Sequence, residues 1–278
     1  MQRSDVWRVA TFNIWNRQGP WAERLAIIVD ELGKLDLDAV GFQEVLGFTG
    51  LPSQAHEIAQ KLGWQSVHHV PAWNVGGGLT FGNAIISRHA LRDQQTLQLP
   101  SPPGLDTRTA AFARVECESG PMPVFCTHLT YQADQGRARC EQVRVLTDHV
   151  VALCPVDEPP PVLLGDFNAD PDSDEMRFMR GLTPMGGASV YYSDAWTVTG
   201  NDPNAGFTYD RRNAYALRSR EHSRRIDYVF VRGPGKHLCG EAIGAQIALN
   251  VPRGEVWPSD HYAVVAEIYA AKRHHDPW

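Results

Sequence analysis

This sequence lacks the features of a membrane-spanning or disulfide-stabilised protein. No apolar run approaches the roughly 20 residues that a membrane helix needs. The chain does not open with the cationic and apolar stretches of a secretory leader. Its five cysteines are odd in number and have no C-x-x-C spacing, which argues against a disulfide framework or a structural zinc site. We therefore expect a reduced, cytoplasmic protein that does not insert stably into a membrane.

The sequence also lacks an excess of positive charge. The formal net charge is −6, so there is no overall basic surface for nucleic acid, although a local groove could still bind one. The glycines at 76–78 are not followed by the Lys-Ser/Thr of a phosphate-binding P-loop, and they precede a strand pattern, so they predict a hairpin turn. No repeat, low-complexity linker or break in composition divides the chain. We predict one domain over residues 1–278.

What the sequence does contain is a mixture of strand and helix patterns, which indicates an α/β fold. Apolar positions at helical spacing predict helices at 20–34, 135–153 and 173–180. Short apolar runs predict buried strands at 7–16, 38–45, 84–87, 107–117, 122–127, 226–231, 242–249 and 262–269. Residues 200–222, rich in Asn, Arg and Gly, are predicted to be a loop.

The stretch 163–170 combines an apolar run with two polar side chains at its end. We predict a strand, a tight turn at Gly165, and Asp166 and Asn168 on the same side with Phe167 directed into the core. Taken alone, this pattern is equally typical of an Asx turn that ends a strand. Polar groups at the end of a buried strand need partners or a ligand, so the rest of the chain must decide.

Polar residues recur at the ends of otherwise apolar strands. Each has an ordinary explanation, such as a cap, a buried ion pair or a hydrogen-bonded histidine, but eight recurrences are harder to dismiss. They are Asn13, Glu44, His128, Asp166, Asn168, Asp227, Asp260 and His261. Four of them, Asn13, Glu44, Asp166 and Asp260, offer oxygen ligands that suit a hard cation such as Mg²⁺ or Mn²⁺. The histidines lack the H-x-x-x-H spacing of a zinc site.

Six short motifs resemble, in the same order, those of the endonuclease/exonuclease/phosphatase superfamily, which has the DNase I-like fold. They are Thr11-Phe12-Asn13-Ile14, Gln43-Glu44, Thr127-His128-Leu129, Gly165-Asp166-Phe167-Asn168, Arg225-Ile226-Asp227-Tyr228 and Ser259-Asp260-His261. The resemblance covers nearly the whole chain. It implies a four-layered α/β sandwich, in which two packed mixed β-sheets are flanked by helices. It also implies metal-dependent hydrolysis of a phosphoester, as in a phosphodiesterase or phosphatase.

The resemblance assigns metal binding and water activation to residues of these motifs. Glu44 would be the principal ligand of Mg²⁺, for which Mn²⁺ would substitute, helped by Asn13 and Asp260. Asp166 would orient or deprotonate the attacking water, and Asn168 would hold a phosphate oxygen.

The remaining roles concern proton transfer and substrate contact. Asp227 would steady His261, whose part as base or as transition-state stabiliser is left open, and His128 would donate to the phosphate or the leaving oxygen. The predicted substrate-binding residues are Arg108, Tyr131 and Arg224. Trp15 stands where some DNA-repair members carry an acidic metal-associated residue, which argues against an abasic-site endonuclease.

The substrate class stays open between a nucleic acid, a phosphorylated metabolite and a phospholipid headgroup. An arginine-rich stretch between Tyr209 and Ile226 predicts either a solvated loop or a rim for an anionic substrate. Aromatic residues, Trp15, Trp73, Trp196 and Tyr131, are candidates to line the mouth of the site. The alternatives to a general phosphoester hydrolase are a dedicated DNA or RNA nuclease and a sphingomyelinase-like phospholipid phosphodiesterase. A non-catalytic binding module is disfavoured, because it would not need both a metal ligand and an Asp–His pair. The oligomeric state is open.

Overall fold

A computed structural model describes residues 2–104, 106–156, 159–233 and 239–270 of the chain. Its strands are β1 (Val6–Asn13), β2 (Ala39–Phe48), β3 (Ser66–Gly76), β4 (Leu79–Ser87), β5 (Leu91–Leu99), β6 (Arg108–Cys117), β7 (Gly120–His128), β8 (Val162–Asp166), β9 (Ser193–Asp194), β10 (Asp227–Val231), β11 (Ala242–Ala248) and β12 (Ala263–Tyr269). Its α-helices are α1 (Trp21–Gly33), α2 (Gln54–Leu62), α3 (Gly136–Leu153), α4 (Asp174–Met179) and α5 (Ala195–Val198).

The strands form two six-stranded sheets. The first has the order β11-β12-β1-β2-β4-β3 and the second the order β5-β6-β7-β8-β10-β9. Both sheets are mixed, because β1 pairs with β2 and β7 with β8 in parallel, while the neighbouring pairs are antiparallel.

Alternation along each strand places the sheets face to face. In β1, Trp7 and Val9 belong to the core shared with the second sheet, whereas Ala10 and Phe12 pack with the apolar side of α1. In β8, Leu164 belongs to the shared core, whereas Leu163, and Phe167 just after the strand, belong to the core beneath α3 and α4. The layers are therefore helix, sheet, sheet, helix, which confirms the four-layered sandwich with two mixed sheets.

Gly41 of β2 sets how closely the two sheets approach. A Cβ atom at this position would lie 2.9 Å from Leu164 Cβ and 3.0 Å from Cys126 Sγ, both on the facing sheet. Contacts this short are not found between packed side chains, so the glycine allows a separation that alanine would not.

The secondary structure confirms most of the sequence predictions and adds four elements for which no bounds were predicted, β3, β9, α2 and α5. Three further differences concern other stretches. The glycine-rich stretch does form a hairpin turn, but β4 already begins at Leu79, five residues before the predicted strand. The strand β5 was not predicted, since only two of its nine residues, Leu97 and Leu99, are buried. The predicted turn at Gly165 is wrong: Gly165 pairs within β8, where a Cβ would lie 2.8 Å from the carbonyl oxygen of Thr127.

Two further observations concern the membrane and the cysteines. Among the helices within the described ranges, none is both long enough and apolar enough to cross a bilayer. All five cysteines are free thiols.

Candidate active site

Three polar side chains lie side by side at one end of the second sheet. His128 of β7 and Asp227 of β10 are both paired in register with Asp166 of β8. The residues two positions further into these strands, Cys126 and Leu164 among them, lie in the core between the sheets. Because side chains alternate along a strand, all three polar groups face the first sheet.

The first sheet contributes Asn13 and Glu44. Asn13 ends β1, and its side-chain Nδ2 donates to Asp166 Oδ2 at 3.0 Å, which joins the two sheets by a buried hydrogen bond. The pairing of β2 with β4 slips between Phe42 and Val45, and Glu44 has a left-handed φ of 59° at this bulge. A bulge redirects a side chain, and here Glu44 Oε1 comes within 3.3 Å of Asn13 Nδ2.

The segment preceding β12 brings the last group of residues. Ser259 Oγ donates to the carbonyl oxygen of Asn13 at 2.7 Å, which fixes this segment to the end of β1. His261 Nδ1 lies 2.9 Å from Asp227 Oδ2. The carboxylate therefore holds the hydrogen on Nδ1 and leaves Nε2 facing Asp166 Oδ2 at 3.8 Å.

Asn168 is placed by an Asx turn. Its backbone N–H donates to Asp166 Oδ1 at 2.9 Å, and its φ is 51°. Its Nδ2 donates to the carbonyl oxygen of Leu129 at 3.1 Å. The Asx turn that the sequence offered as an ordinary explanation is therefore present, and it places Asn168 beside Asp166 in the same site.

These residues surround a cavity of about 270 Å³. Of the residues predicted from the sequence, those in its wall are Glu44, Arg108, His128, Tyr131, Asp166, Asn168, Asp260 and His261. Asn13 and Asp227, both fully buried, lie behind the wall and contact Asp166 and His261.

Arg108 and Arg224 have different surroundings. Arg108 is only 5% exposed; its Nη2 lies 3.7 Å from Asp106 Oδ2, and its Nε has no hydrogen-bond partner among the described residues, so the cavity wall holds a buried cation with an unused donor. Arg224 is not in the wall: it donates to Asp170 at 3.0 Å and to the carbonyl oxygen of Asn168 at 3.2 Å. We expect Arg224 to support Asn168 and not to contact substrate directly.

The predicted aromatic and arginine rims are only partly present. Trp73 and Tyr131 line the cavity, but Trp15 stacks on Tyr215 and Trp196 donates to the carbonyl oxygen of Asp202. In the arginine-rich stretch, Arg212 is paired with Asp210 and Arg225 with Asp194. Arg211, Arg218 and Arg220 are exposed.

Burial and charge separate the two histidines. Burial lowers the pKa of His261, but Asp227 and Asp166 outweigh burial and hold this pKa well above its usual value. Burial, together with Arg108 and His261, holds the pKa of His128 well below its usual value. The site therefore contains one imidazolium and one neutral imidazole on opposite sides of Asp166.

Burial raises the pKa of two carboxyl groups in the site, Asp166 and Asp260. Burial and the neighbouring Asp227 raise the pKa of Asp166 to about 7, although His261 and Asn13 favour its charged form. Burial raises the pKa of Asp260 to about 6, and Glu44 raises it while His261 lowers it. Glu44 and Asp260 thus repel each other across the cavity, which a cation between them would relieve.

At this cavity, two sets of the described residues could hold a metal ion. Asp166, Asp227 and His261 have ligand atoms within 4.8 Å of one another, but Asp227 already occupies Nδ1 of His261, and Asp166 accepts hydrogen bonds from Asn13 and Asn168. Because their ligand atoms are already engaged in these hydrogen bonds, the three residues suit proton transfer better than metal binding. The mutual repulsion of Glu44 and Asp260 makes these two carboxylates the better fit for a hard cation. Asn13 lies beside them, with Nδ2 towards Glu44 and Oδ1 accepting the backbone N–H of Trp15, so its oxygen would join the set once the side-chain amide turns over.

Comparison with known proteins identifies the family of this chain. The sequence profile of the Endonuclease/Exonuclease/phosphatase family matches residues 10–261. The chain belongs to this family. It is therefore a phosphoester hydrolase of the nuclease or phosphatase type. No functionally curated protein gave a significant sequence match.

Solved structures of endonuclease/exonuclease/phosphatase proteins have the same fold. A member from Beutenbergia cavernae is 23% identical, with a TM-score of 0.70 over 96% of this chain and 72% of that one. The catalytic domain of human Nocturnin, with a bound sulfate anion, is 18% identical, with a TM-score of 0.69 over 95% and 94%. Truncated TDP2 from Caenorhabditis elegans is also 18% identical, with a TM-score of 0.69 over 95% and 98%.

Arg24 is a buried residue next to the site that was not predicted from the sequence. It is fully buried, and its guanidinium donates to the carbonyl oxygens of Ile14, Gln18 (2.7 Å) and Pro258 (3.0 Å). It also lies 5.1 Å from the centre of the Trp15 ring. A single side chain thus fixes the turn after β1 to the segment that carries Asp260. From the sequence, an arginine on an amphipathic helix gives no sign of this.

We expect Arg24→Met to lower the free energy of unfolding by about 3 kcal/mol or more, because several buried carbonyl groups lose a charged donor at once. Thermal unfolding followed by circular dichroism measures the change. Arg137→Met is the matched control, since the Arg137 side chain is 93% exposed and forms a surface ion pair with Glu141. Equal melting temperatures for the two variants would contradict the assigned role of Arg24.

Three residues of the predicted loop were missed as well. Thr208 Oγ1 accepts the backbone N–H of Asp227 at 3.1 Å, and the Tyr209 ring lies 5.0 Å from that of His261 in the cavity wall. Asn213 is fully buried and donates to the carbonyl oxygen of Ser259 at 2.7 Å. Polar residues in a loop rich in Asn and Arg carry no periodic signal, so the sequence could not single these out.

Proposed function

We propose that this chain hydrolyses a phosphoester by in-line attack of water, with Mg²⁺ as its cofactor and Mn²⁺ able to replace it. The observation that supports this most is the position of Asp166. It lies between a neutral and a protonated histidine, at 3.5 Å from His128 Nε2 and 3.8 Å from His261 Nε2. Both distances are longer than a good hydrogen bond, so neither ring nitrogen is committed to Asp166, and a reacting group in the cavity that all three residues line could contact each of them.

Glu44, Asp260 and Asn13 would hold the metal ion. Both carboxylates line the cavity, and Asn13 lies directly beneath Glu44. A bound Mg²⁺ polarises a phosphoryl oxygen and stabilises the charge that develops on it. Asn16, whose Nδ2 donates to Glu44 Oε2 at 2.9 Å, would keep the Glu44 carboxylate oriented.

The side chains around the cavity would divide the remaining work. Asp166, with its pKa raised to about 7, accepts the proton of the attacking water. The imidazolium of His261, oriented by Asp227, stabilises the negative charge that builds up on phosphorus-bound oxygen. The buried guanidinium of Arg108, whose Nε is without a hydrogen-bond partner among the described residues, would contact a non-bridging oxygen, and Asn168 would hold another. His128 donates to the phosphate or to the leaving oxygen.

The substrate is a phosphoester of a nucleic acid, a phosphorylated metabolite or a phospholipid headgroup. The bound sulfate of the human Nocturnin structure is a tetrahedral anion in a protein of this fold, which supports an anionic substrate. A dedicated DNA or RNA nuclease is the second candidate, favoured by the exposed Arg211, Arg218 and Arg220. Nucleic-acid binding that weakens steeply with added salt would support that candidate.

We expect removal of divalent ions by EDTA to lower the hydrolysis of bis-p-nitrophenyl phosphate by roughly 10²–10³ or more, because the metal is one of the main sources of transition-state charge stabilisation. Addition of Mg²⁺ or Mn²⁺ should restore the rate. Glu44→Gln should raise the Mg²⁺ concentration needed for half of the maximal rate, whereas the exposed control Glu141→Gln should not. Full activity in EDTA would refute the proposed cofactor.

A further inference from the structure

An apolar sheet face leads out of the catalytic cavity. Five side chains form it, and we call them the apolar shelf: Leu46 and Phe48 of β2, Trp73 of β3, and Leu79 and Phe81 of β4. Trp73 and Phe81 are part of the cavity wall, and the Phe81 ring lies 6.4 Å from that of His128. The shelf is therefore continuous with the site proposed above.

Strand register places the five side chains on one face. Phe81 of β4 is paired with Leu46 on one side and with Trp73 on the other, and Phe48 is paired with Leu79 in the next row. Ile85 lies four residues after Phe81 in β4, on the same face of the strand, and belongs to the core between the sheets. By alternation the shelf continues this inner face beyond the point where His128 and Asp166 end the strands of the facing sheet.

The shelf is open to solvent where it leaves the cavity. Phe48 is 52% exposed and Trp73 is 45% exposed. Large aromatic side chains that stay half-exposed in register beside a catalytic cavity are typical of a binding surface.

Charge decides what this surface can bind. The two segments that carry the shelf, residues 45–56 and 62–87, contain no Asp, Glu, Lys or Arg. In the cavity wall next to the shelf, Asp106 and Arg108 lie 3.7 Å apart as an ion pair, so this part of the wall adds no net charge to the shelf. A nucleic-acid strand along the shelf would bring further phosphates to a surface without cations, whereas an uncharged hydrocarbon chain would meet only apolar groups.

We propose that the substrate is a phosphodiester in which one ester group is a long apolar chain, bound along the apolar shelf while the phosphate occupies the cavity. This rests on the proposed function and selects the lipid-like class among the substrates left open above. The shelf acts on binding and specificity, whereas the residues around Asp166 act on the phosphate.

The test uses a series of alkyl p-nitrophenyl phosphodiesters with methyl, butyl, hexyl and octyl chains, each below its micelle concentration and with Mg²⁺ present. All release p-nitrophenolate, so the leaving group is constant. We expect kcat/KM to rise by roughly 30-fold from methyl to hexyl, or about twofold per methylene, since a fully buried methylene would contribute up to about fourfold. The inhibition constants of the alkyl phosphate products should fall in parallel, which excludes an effect of the nitrophenyl ring.

Phe48→Ser should reduce the hexyl-to-methyl ratio of kcat/KM at least threefold and leave the methyl ester unaffected. Val251→Ser is the control, because Val251 is 68% exposed and belongs to neither the shelf nor the cavity wall. If Phe48→Ser unfolds, as judged by circular dichroism, Leu79→Ser serves the same purpose.

The outcomes separate this inference from the proposed function. Hydrolysis of every ester with the same kcat/KM, or a preference for the p-nitrophenyl ester of thymidine 5′-phosphate over the hexyl ester, would overturn the lipid-like substrate and keep the phosphoester hydrolase. Absence of hydrolysis for all esters, methyl included, would overturn both.

Discussion

Asp166→Asn is expected to lower kcat for bis-p-nitrophenyl phosphate by roughly 10³, in the middle of the range for loss of a general base. The substitution preserves shape, and the new amide oxygen can still accept the backbone N–H of Asn168, now 2.9 Å from Asp166 Oδ1. It cannot take up a proton from water. It also places an amide near Asn13 Nδ2, where two donors would meet. Initial rates at saturating Mg²⁺ measure the loss.

A second buried carboxyl group provides the control for Asp166. Asp194 is 2% exposed, lies in the same sheet and pairs with Arg225, but it is not part of the cavity wall. Asp194→Asn should therefore lower stability and leave kcat of the folded protein near that of the unmodified chain. If Asp166→Asn, with unchanged circular dichroism, keeps more than a tenth of the activity, Asp166 does not accept the proton.

His261→Ala is expected to lower kcat by roughly 10²–10³, which is the usual cost of removing one preorganised electrostatic contributor. Loss of the imidazole removes the positive charge opposite Asp166 and leaves the carboxylate of Asp227 buried without its partner. Asp227→Asn should act through the same histidine. In a double-mutant cycle the two losses should be strongly non-additive, since Asp227 works by orienting His261.

The control for His261 is His69→Ala. His69 is a partly buried histidine of β3 that does not line the cavity. Its loss should leave kcat unchanged. Additive losses for His261→Ala and Asp227→Asn would mean that the two residues act independently, and the proposed pair would be refuted.

The sequence predicts the layers and many cavity residues because the same pattern encodes both. An apolar strand that ends in a polar residue specifies a buried face and a group at its end, as in β8 with Asp166. Strand alternation then fixes which side that group faces. His128, Asp166 and Asp227 could be predicted in this way, because each is a polar residue at the end of an apolar strand.

What the sequence did not reveal is how these residues are placed, because that depends on local irregularity or on long-range contact. The bulge that directs Glu44 to the site changes register by one residue, and periodicity gives no sign of it. Arg24 gains its role only when the turn after β1 meets Pro258, 234 positions away in the chain. Arg224 was predicted at the substrate because it is close in sequence to Asp227, but its contacts with Asp170 and Asn168 are set by tertiary packing.

The close approach at Gly41 means that the gap between the sheets is itself a catalytic parameter. Gly41 lies two residues from Gln43 at the end of the regular β2 pairing, and Leu164, its contact across the gap, lies two residues from Asp166. Since Asn13 and Asp166 belong to opposite sheets and meet at 3.0 Å, an added methyl group deep in the core would pull apart groups that it never touches. A substitution at Gly41 is therefore expected to disturb the candidate site through the spacing of the sheets as well as to lower stability.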